Sequence, residues 1–236
     1  MKAMLFAAGL GTRLKPFTDH HPKALAEVNG KTLLEINIKF LQQYGIQDVI
    51  INVHHFADQI EAVIAANDGF GSHITISDER DAVLETGGGL KKAAGFFKGS
   101  SSFVVMNVDV LTNLDLRQMI DAHNQADAMA TLAVMKRASS RQLLFDEHML
   151  LCGWANNKTG EQRISREVLS LQPFAFSGIQ VLSEGIFDMP FHGKFSMIDV
   201  YLHFAKTQVI KGFNHSGDTF IDVGKPESLE MAAGMF

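Results

Sequence analysis

Short apolar runs alternate with amphipathic stretches through the first half of the chain. Continuous or alternating apolar positions predict strands at residues 2–8, 48–53, 73–77, 103–106 and 128–135. Apolar residues at helical spacing between these runs predict helices at 34–41, 56–64, 90–97 and 116–125. Strands that alternate with helices in this way are typical of an α/β fold, in which helices cover both faces of a mostly parallel sheet.

The alternation is interrupted between residues 138 and 166, where Ser, Arg, Asn and Lys surround a short apolar piece at 149–154. This composition predicts a hairpin or a lid. Beyond it, strands are predicted at 173–182 and 208–213, Ser196 and Asp199 can cap a helix that runs to about residue 206, and Pro226 can open the last helix. No repeat or linker divides the chain. We therefore expect a single Rossmann-like domain at 1–236, with a mostly parallel mixed sheet flanked by helices.

Composition narrows the classes of partner. The 236 residues are 46% hydrophobic and 20% charged, which is enough to bury a core without disulfides or metal. The formal net charge of -5 argues against a nucleic-acid partner, since phosphate backbones are bound by concentrated basic faces. Cys152 is the only cysteine, and neither a leader nor a membrane-length apolar segment is apparent, so we expect a cytoplasmic protein without a membrane partner.

The first predicted strand runs into a glycine loop that carries two cations. Gly9 and Gly11 permit positive φ and close backbone approach, and successive N–H groups in such a loop form an anion site. Arg13 adds a planar fork for phosphate oxygens and Lys23 adds a compact charge. A dinucleotide fingerprint would need glycine where Leu14 stands, and a P-loop would need Gly-Lys-Ser or Gly-Lys-Thr. The segment thus predicts a nucleoside triphosphate site.

The same segment resembles the opening signature of the sugar-1-phosphate nucleotidyltransferases. The matching positions are Ala7, Ala8, Gly9, Leu10, Gly11, Thr12, Arg13, Leu14, Pro16, Thr18, Pro22, Lys23, Ala24 and Leu25. The resemblance implies a nucleotide-diphospho-sugar transferase fold and attack of a sugar 1-phosphate on a nucleoside triphosphate, with release of pyrophosphate. It implies catalytic roles for Arg13, at the pyrophosphate portion, and Lys23, at the phosphates of the reacting partners. It also implies nucleotide binding by Ala8, Gly9, Gly11, Thr12, Arg13 and Lys23.

Two aspartates follow apolar strands and are candidate metal ligands. Asp109 follows the strand at 103–106, and Asp222 follows Phe220 and Ile221. Either one alone is more often a turn or capping residue. Both positions resemble the metal-binding aspartates of the family, which implies Mg²⁺, a cation that prefers carboxylates, phosphates and water. Val108 and Lys225 depart from the family pattern, which usually has Gly before the first aspartate and often Thr after the second.

The string Leu84-Glu85-Thr86-Gly87-Gly88-Gly89 precedes the helix predicted at 90–97. It resembles the corresponding string of uridylyltransferases that act on N-acetylmuramate 1-phosphate. The resemblance implies nucleobase binding by Gly87 and Gly88 and sugar binding by Glu85. Asn107 can bind a sugar group or, equally, cap local backbone.

The resemblance implies UTP and N-acetylmuramate 1-phosphate as substrates. Two alternatives stay open. One is a guanylyl- or cytidylyltransferase that acts on another sugar or amino-alcohol phosphate, and the other is a catalytically silent regulatory module that binds nucleotide. Ser177 has no evident Ser-His-Asp constellation and Cys152 no activating partner, so we do not expect covalent catalysis. The sequence sets no oligomeric state.

Overall fold

The computed structural model describes residues 1–236. The strands are β1 (Lys2–Phe6), β2 (Glu27–Val28), β3 (Lys31–Thr32), β4 (Asp48–Val53), β5 (His73–Asp78), β6 (Ser102–Asn107), β7 (Val110–Thr112), β8 (Ala130–Met135), β9 (Arg141–Phe145), β10 (Leu151–Asn156), β11 (Glu161–Ile164), β12 (Gln172–Ser183), β13 (Ile210–Asn214) and β14 (Phe220–Asp222). The helices are α1 (Leu33–Gln43), α2 (Ala57–Ala66), α3 (Glu85–Lys92), α4 (Ala94–Phe97), α5 (Leu116–Gln125), α6 (Met197–Phe204) and α7 (Pro226–Met235).

The central sheet has the order β5-β4-β1-β6-β12-β8-β13, and only β12 runs antiparallel to its neighbours. Alternate residues of each strand point to opposite faces of the sheet, and helices cover both faces. Ala3 and Leu5 join the core that includes α1, α2 and α5, whereas Met4 joins the core beneath α3, α4 and α6. The expected α/β fold, with a mostly parallel sheet in a single domain, is confirmed. No helix combines the length and apolar character needed to cross a membrane.

The interrupted region at 138–166 forms an antiparallel meander. β9 pairs with β10, β10 pairs with β11, and β9 joins the central sheet through Gln172–Phe174 of β12. The predicted hairpin is thus present, and a third strand extends it. The meander is an antiparallel extension at one side of a parallel core.

A two-stranded ribbon joins segments that lie far apart in the sequence. β7 pairs with β14, with Val110 opposite Asp222. The N–H of Val223 donates to the carbonyl oxygen of Asp109 at 2.8 Å. Both strands have three residues, too few for a recognisable period, so hydrophobic patterning did not predict them. The ribbon brings the segments of Asp109 and Asp222 together.

The helix predicted at 90–97 begins earlier than expected and is divided in two. α3 starts at Glu85, so the three glycines lie inside its first turns and not in a preceding loop. A Cβ at Gly87 would be 2.4 Å from the Phe195 ring, and one at Gly88 would be 2.3 Å from the carbonyl oxygen of Gly193. Close packing of α3 on the segment before α6 therefore accounts for Gly87 and Gly88.

Candidate active site

A cavity of about 410 Å³ opens at the carboxyl ends of the parallel strands. We call it the strand-end cavity. It is lined by Phe6, Ala7, Ala8, Gly9, Lys23, Asn52, Glu79, Val83, Glu85, Thr86, Asn107, Val108, Asp109 and Ser196. Its walls include the end of β1, the end of β6 and residues at the ends of β4 and β5. Ligands of open α/β sheets bind at this edge.

The glycine loop after β1 uses its two glycines differently. Gly11 has φ +62°, and a Cβ there would lie 2.8 Å from Cγ2 of Thr18, whose hydroxyl donates to the Gly11 carbonyl at 3.0 Å. A Cβ at Gly9 would meet no protein atom within 4 Å, and Gly9 lines the cavity together with Ala8. Gly11 therefore holds the shape of the loop, whereas Gly9 keeps the cavity open. Thr12 belongs to a short 3-10 turn just beyond.

Lys23 and Asp109 form an ion pair in the wall of the strand-end cavity. Their side chains are only 11% and 19% exposed. Lys23 begins a short 3-10 turn, and Asp109 follows β6 after the buried Val108. A charge pair that is largely removed from water interacts more strongly than a surface pair.

Arg13 and Asp222 lie beside this pair. Nη2 of Arg13 is 3.9 Å from Oδ2 of Asp222, at the end of β14. Burial and the nearby Asp109 carboxylate raise the pKa of Asp222, against the opposing effects of Lys23 and Arg13. A Cβ at Gly224 would be 2.8 Å from Oδ1 of Asp222 and 2.9 Å from Nη2 of Arg13. Gly224 therefore gives both side chains the room to meet.

The donor set at this point consists of two carboxylates. No group of three or more His, Cys, Asp or Glu side chains is arranged to hold a metal elsewhere in the chain. Mg²⁺ is usually held by one or two carboxylates and takes its other ligands from phosphates and water. Burial and, after it, the neighbouring Asp109 carboxylate raise the pKa of Asp222, so a cation held by both carboxylates would offset a cost that Lys23, Arg13 and Arg137 offset only in part. The residues fit Mg²⁺ bound together with a phosphate substrate.

A second cavity, of about 720 Å³, lies against the β9–β11 meander, and we call it the meander cavity. It is lined by Arg13, Arg137, Ser139, Ser140, Arg141, Gln142, Leu143, Trp154, Asn156, Lys158, Phe176, Ile198 and Asp222. Asp109 thus borders the strand-end cavity, and Asp222 borders the meander cavity. The two aspartates stand where the cavities approach each other.

Sequence reasoning missed a buried network at the strand-end cavity. Glu79 is only 1% exposed, and its Oε1 accepts from Nδ2 of Asn52 at 2.8 Å. Oδ1 of Asn52 accepts from the N–H of Ala7 at 2.8 Å. The network ties the start of the glycine loop to the ends of β4 and β5. Asn52 within an apolar strand, and an acidic residue just past the next strand, were the signals available.

Among the other predicted residues, Glu85 and Asn107 line the strand-end cavity, and Oε1 of Glu85 is 3.7 Å from Nζ of Lys194. Gly87 and Gly88 do not line it. Their N–H groups both point to the carbonyl oxygen of Phe195, at 3.0 and 3.3 Å. Thr86 lies on the wall and the glycines pack behind it, so nucleobase binding by Gly87 and Gly88 stays a prediction.

The expectation that Ser177 lacks a Ser-His-Asp constellation is wrong. Oγ of Ser177 is 2.8 Å from Nε2 of His215, and Nδ1 of His215 is 3.4 Å from Oδ2 of Asp218. However, Ser177 is 1% and His215 4% exposed, and burial lowers the pKa of His215. Ser177 lines neither cavity. An inaccessible hydroxyl cannot attack a substrate, so the arrangement is a buried hydrogen-bonded group.

Comparison with known proteins identifies the family. The model of the nucleotidyl transferase family matches residues 2–143. An N-acetylmuramate alpha-1-phosphate uridylyltransferase of Caulobacter vibrioides is 30% identical over 96% of this chain and 93% of its own. A D-glycero-alpha-D-manno-heptose 1-phosphate guanylyltransferase of Campylobacter jejuni is also 30% identical, over 96% of both chains. This chain belongs to the nucleotidyl transferase family, whose members here act on sugar 1-phosphates.

A solved structure agrees over the whole length. HddC from Yersinia pseudotuberculosis, complexed with GMP-PN, has a TM-score of 0.80 and 27% identity, covering 100% of this chain and 99% of its own. The meander and the β7–β14 ribbon thus lie within the region shared with that structure. The similarity extends beyond residue 143, where the family match ends.

Proposed function

We propose that this protein transfers a uridylyl group from UTP to N-acetylmuramate 1-phosphate and releases pyrophosphate. The observation that carries the proposal is the meeting of two ion pairs, Lys23 with Asp109 and Arg13 with Asp222, where the two cavities approach each other. In a group transfer, two substrates approach from different sides. Charged side chains are needed where the two substrates meet. We assign UTP to the strand-end cavity and the acceptor to the meander cavity. In this proposal Glu85 and Asn107, which line the strand-end cavity, would contact UTP and not, as predicted from the sequence, the sugar.

The reaction brings two anions together, so the protein must offset their repulsion and align them. An oxygen of the acceptor phosphate attacks the α-phosphorus of UTP, and the bond from that phosphorus to the bridging oxygen of pyrophosphate breaks. Lys23 is positioned to stabilise charge on the α-phosphate, and Arg13 on the departing pyrophosphate. The loop N–H groups and the open face at Gly9 admit the triphosphate.

Asp109 and Asp222 are the residues that would hold Mg²⁺. When bound, the cation supplies charge neutralisation and a template for phosphate oxygens. The two aspartates themselves provide the oxygen ligands, and the ribbon between β7 and β14 fixes their separation. Lys23 pairs with Asp109 in the structure, so it can orient that carboxylate before any substrate arrives.

Glu79 supports a preference for a base with a ring N–H. Its buried carboxylate lines the cavity, where Oε1 accepts from Asn52, and a carboxylate group can only accept hydrogen bonds. Uracil and guanine present a ring N–H donor, whereas cytosine presents an acceptor nitrogen at the equivalent place. Glu79 therefore disfavours CTP. The relatives favour UTP and GTP about equally by identity, so guanylyl transfer to a heptose 1-phosphate is the second candidate.

The meander cavity argues against an amino-alcohol phosphate as acceptor. Arg13, Arg137, Arg141 and Lys158 face a single carboxylate there, that of Asp222. A positively charged amine would be repelled by this wall. Arg137 is anchored by donation from Nη2 to the carbonyl oxygen of Phe176 at 2.9 Å, and its buried Nε has no protein partner. That N–H is available to an oxygen of the acceptor phosphate.

Pyrophosphate release tests the proposal. Purified protein with Mg²⁺ is incubated with UTP, GTP or CTP against N-acetylmuramate 1-phosphate, N-acetylglucosamine 1-phosphate and a heptose 1-phosphate. We expect release with UTP and the muramate. Release with GTP and the heptose 1-phosphate instead would show that the second candidate, guanylyl transfer, is the function. Nucleotide binding by calorimetry without any release would show a silent binding module and refute the proposal.

A further inference from the structure

The meander cavity carries more positive charge than one phosphate requires. Arg13, Arg137, Arg141 and Lys158 line it against Asp222 alone, which leaves three positive charges in excess. The whole chain has a formal net charge of -5, so this excess is local. Clustered cations repel one another unless an anion lies among them.

The four cations belong to two groups. Arg13 is 3.9 Å from Asp222, and Arg137 is held by the Phe176 carbonyl and lies over the ring of Phe220 at 4.8 Å. Both therefore border the transfer point. Arg141 and Lys158 form no ion pair with any carboxylate of the chain, although both are exposed and on the meander.

The strand register places several lining residues of the meander cavity on one face of the meander. Arg141 is opposite Asn156, and Leu143 is opposite Trp154, in the antiparallel pair β9–β10. Opposite residues and alternate residues share a face. All four line the meander cavity, and Lys158 follows in the turn after β10. One face thus combines the half-buried ring of Trp154, suited to a sugar ring, with the amide of Asn156 and two unpaired cations, while Leu143 packs beneath at 1% exposure.

We propose that Arg141 and Lys158 bind a carboxylate that the acceptor carries in addition to its 1-phosphate. The inference rests on the proposed function and names a feature of the acceptor and the residues that recognise it. Arg141 offers a bidentate fork for a carboxylate, and Lys158 adds a mobile point charge. N-acetylmuramate has such a group, the lactyl carboxylate. N-acetylglucosamine is the same sugar without it.

The two acceptors provide the test, with UTP and Mg²⁺ held constant. We expect the Arg141→Ala/Lys158→Ala double variant to raise KM for N-acetylmuramate 1-phosphate about tenfold to a hundredfold, the range for loss of charge-assisted hydrogen bonds. Its KM for N-acetylglucosamine 1-phosphate and for UTP should stay within about twofold, because neither substrate presents the carboxylate. Lys98→Ala, an exposed lysine outside both cavities, is the matched control.

Three results would overturn the inference. The first is an equal rise in KM for both acceptors in the double variant, and the second is no rise for either. The third is a preference of the wild type for N-acetylglucosamine 1-phosphate, which has no carboxylate. Each of these leaves nucleotidyl transfer itself intact. If no pair releases pyrophosphate, the proposed function fails, and calorimetric binding of N-acetylmuramate 1-phosphate to wild type and double variant decides the inference separately. Equal affinity of the two proteins, or no binding to wild type, would then refute it.

Discussion

The two cavities are built on opposite principles. The strand-end cavity is formed by the ends of parallel strands, and four of its polar side chains are already engaged: Lys23 pairs with Asp109, and Asn52 with Glu79. The meander cavity is formed on one side by an antiparallel extension, where Arg141 and Lys158 are exposed and unpaired. Groups that are paired and buried before binding are fixed in place, which suits a reaction centre. Unpaired exposed cations suit the selection of a partner.

The family match covers the strand-end cavity more fully than the meander cavity. Every residue that lines the strand-end cavity, except Ser196, lies within residues 2–143. The match ends inside β9, so it leaves out Trp154, Asn156 and Lys158 on the meander. Relatives of similar identity bear the names of different nucleotides and different sugars. We therefore assign nucleotide binding to the first cavity and acceptor choice to the second, with Arg13 and Asp222 of the transfer point at the edge of the second.

The largest expected effect lies at the boundary between the cavities. Asp222→Asn should lower kcat by about a thousandfold, because the variant removes half of the carboxylate pair that would hold Mg²⁺. The loss should be the same for both acceptors, unlike the loss from the meander variants. Pyrophosphate release measures it. A loss confined to one acceptor would show that Asp222 serves acceptor choice.

The same variant should make the protein more stable in the absence of metal. Burial and Asp109 raise the pKa of Asp222, so its charged form is disfavoured in the folded state. The contribution of this group to stability is full below the unfolded pKa, near 3.8, and is lost as pH rises through the folded pKa. At pH 7 without metal, Asp222→Asn should therefore melt above wild type, and the difference should vanish near pH 3.5 to 4.

Added Mg²⁺ should reverse that order. Mg²⁺ held by Asp109 and Asp222 would stabilise the folded wild type by mass action, whereas the variant lacks one ligand and would gain less. Thermal unfolding with and without Mg²⁺ at pH 7 measures the change without any turnover. An equal gain for wild type and Asp222→Asn would contradict the metal assignment.

Lys23 gives the next largest effect. Lys23→Ala should lower kcat about a hundredfold, since one preorganised charge at the transferred phosphate is lost. Both acceptors should again be affected equally. Lys15→Ala is the control, because Lys15 belongs to the same loop region but is 60% exposed and pairs with Asp19. Near-normal turnover of Lys23→Ala would remove this lysine from the mechanism.

How far the sequence predicts each cavity depends on how local the signal is. Apolar periods mark β1, α1 and β4, and the glycine loop is a contiguous motif. The elements of this region could therefore be predicted from the sequence, although their order in the sheet could not. The meeting of Asp109 with Asp222 was implied by resemblance only, since three-residue strands carry no period. The packing of Gly87 on Phe195 was not foreseen, because Phe195 is more than a hundred residues away. Long-range contacts of this kind leave no local pattern.

Glu79 tests nucleotide choice in the strand-end cavity alone. Glu79→Gln replaces an acceptor-only group by one that also donates, so it can pair with cytosine. We expect the ratio of kcat/KM for CTP to that for UTP to rise about tenfold, with KM for the acceptor unchanged. Glu147→Gln is the control, since Glu147 is 83% exposed and lines neither cavity. An unchanged ratio would show that the base does not contact Glu79.

The smallest expected effect concerns Ser177, which lies between the cavities: Phe176 before it lines the meander cavity, and Gly178 after it packs against Asn107 of the strand-end cavity. Ser177→Ala should keep turnover within about twofold, because the buried hydroxyl touches no substrate. It should lower the free energy of unfolding by about 1 kcal/mol, since Nε2 of His215 loses its partner. Turnover and urea unfolding measure the two quantities. A loss of turnover as large as that of Lys23→Ala, without a loss of stability, would give this serine a chemical role and make the division between a reaction cavity and an acceptor cavity untenable.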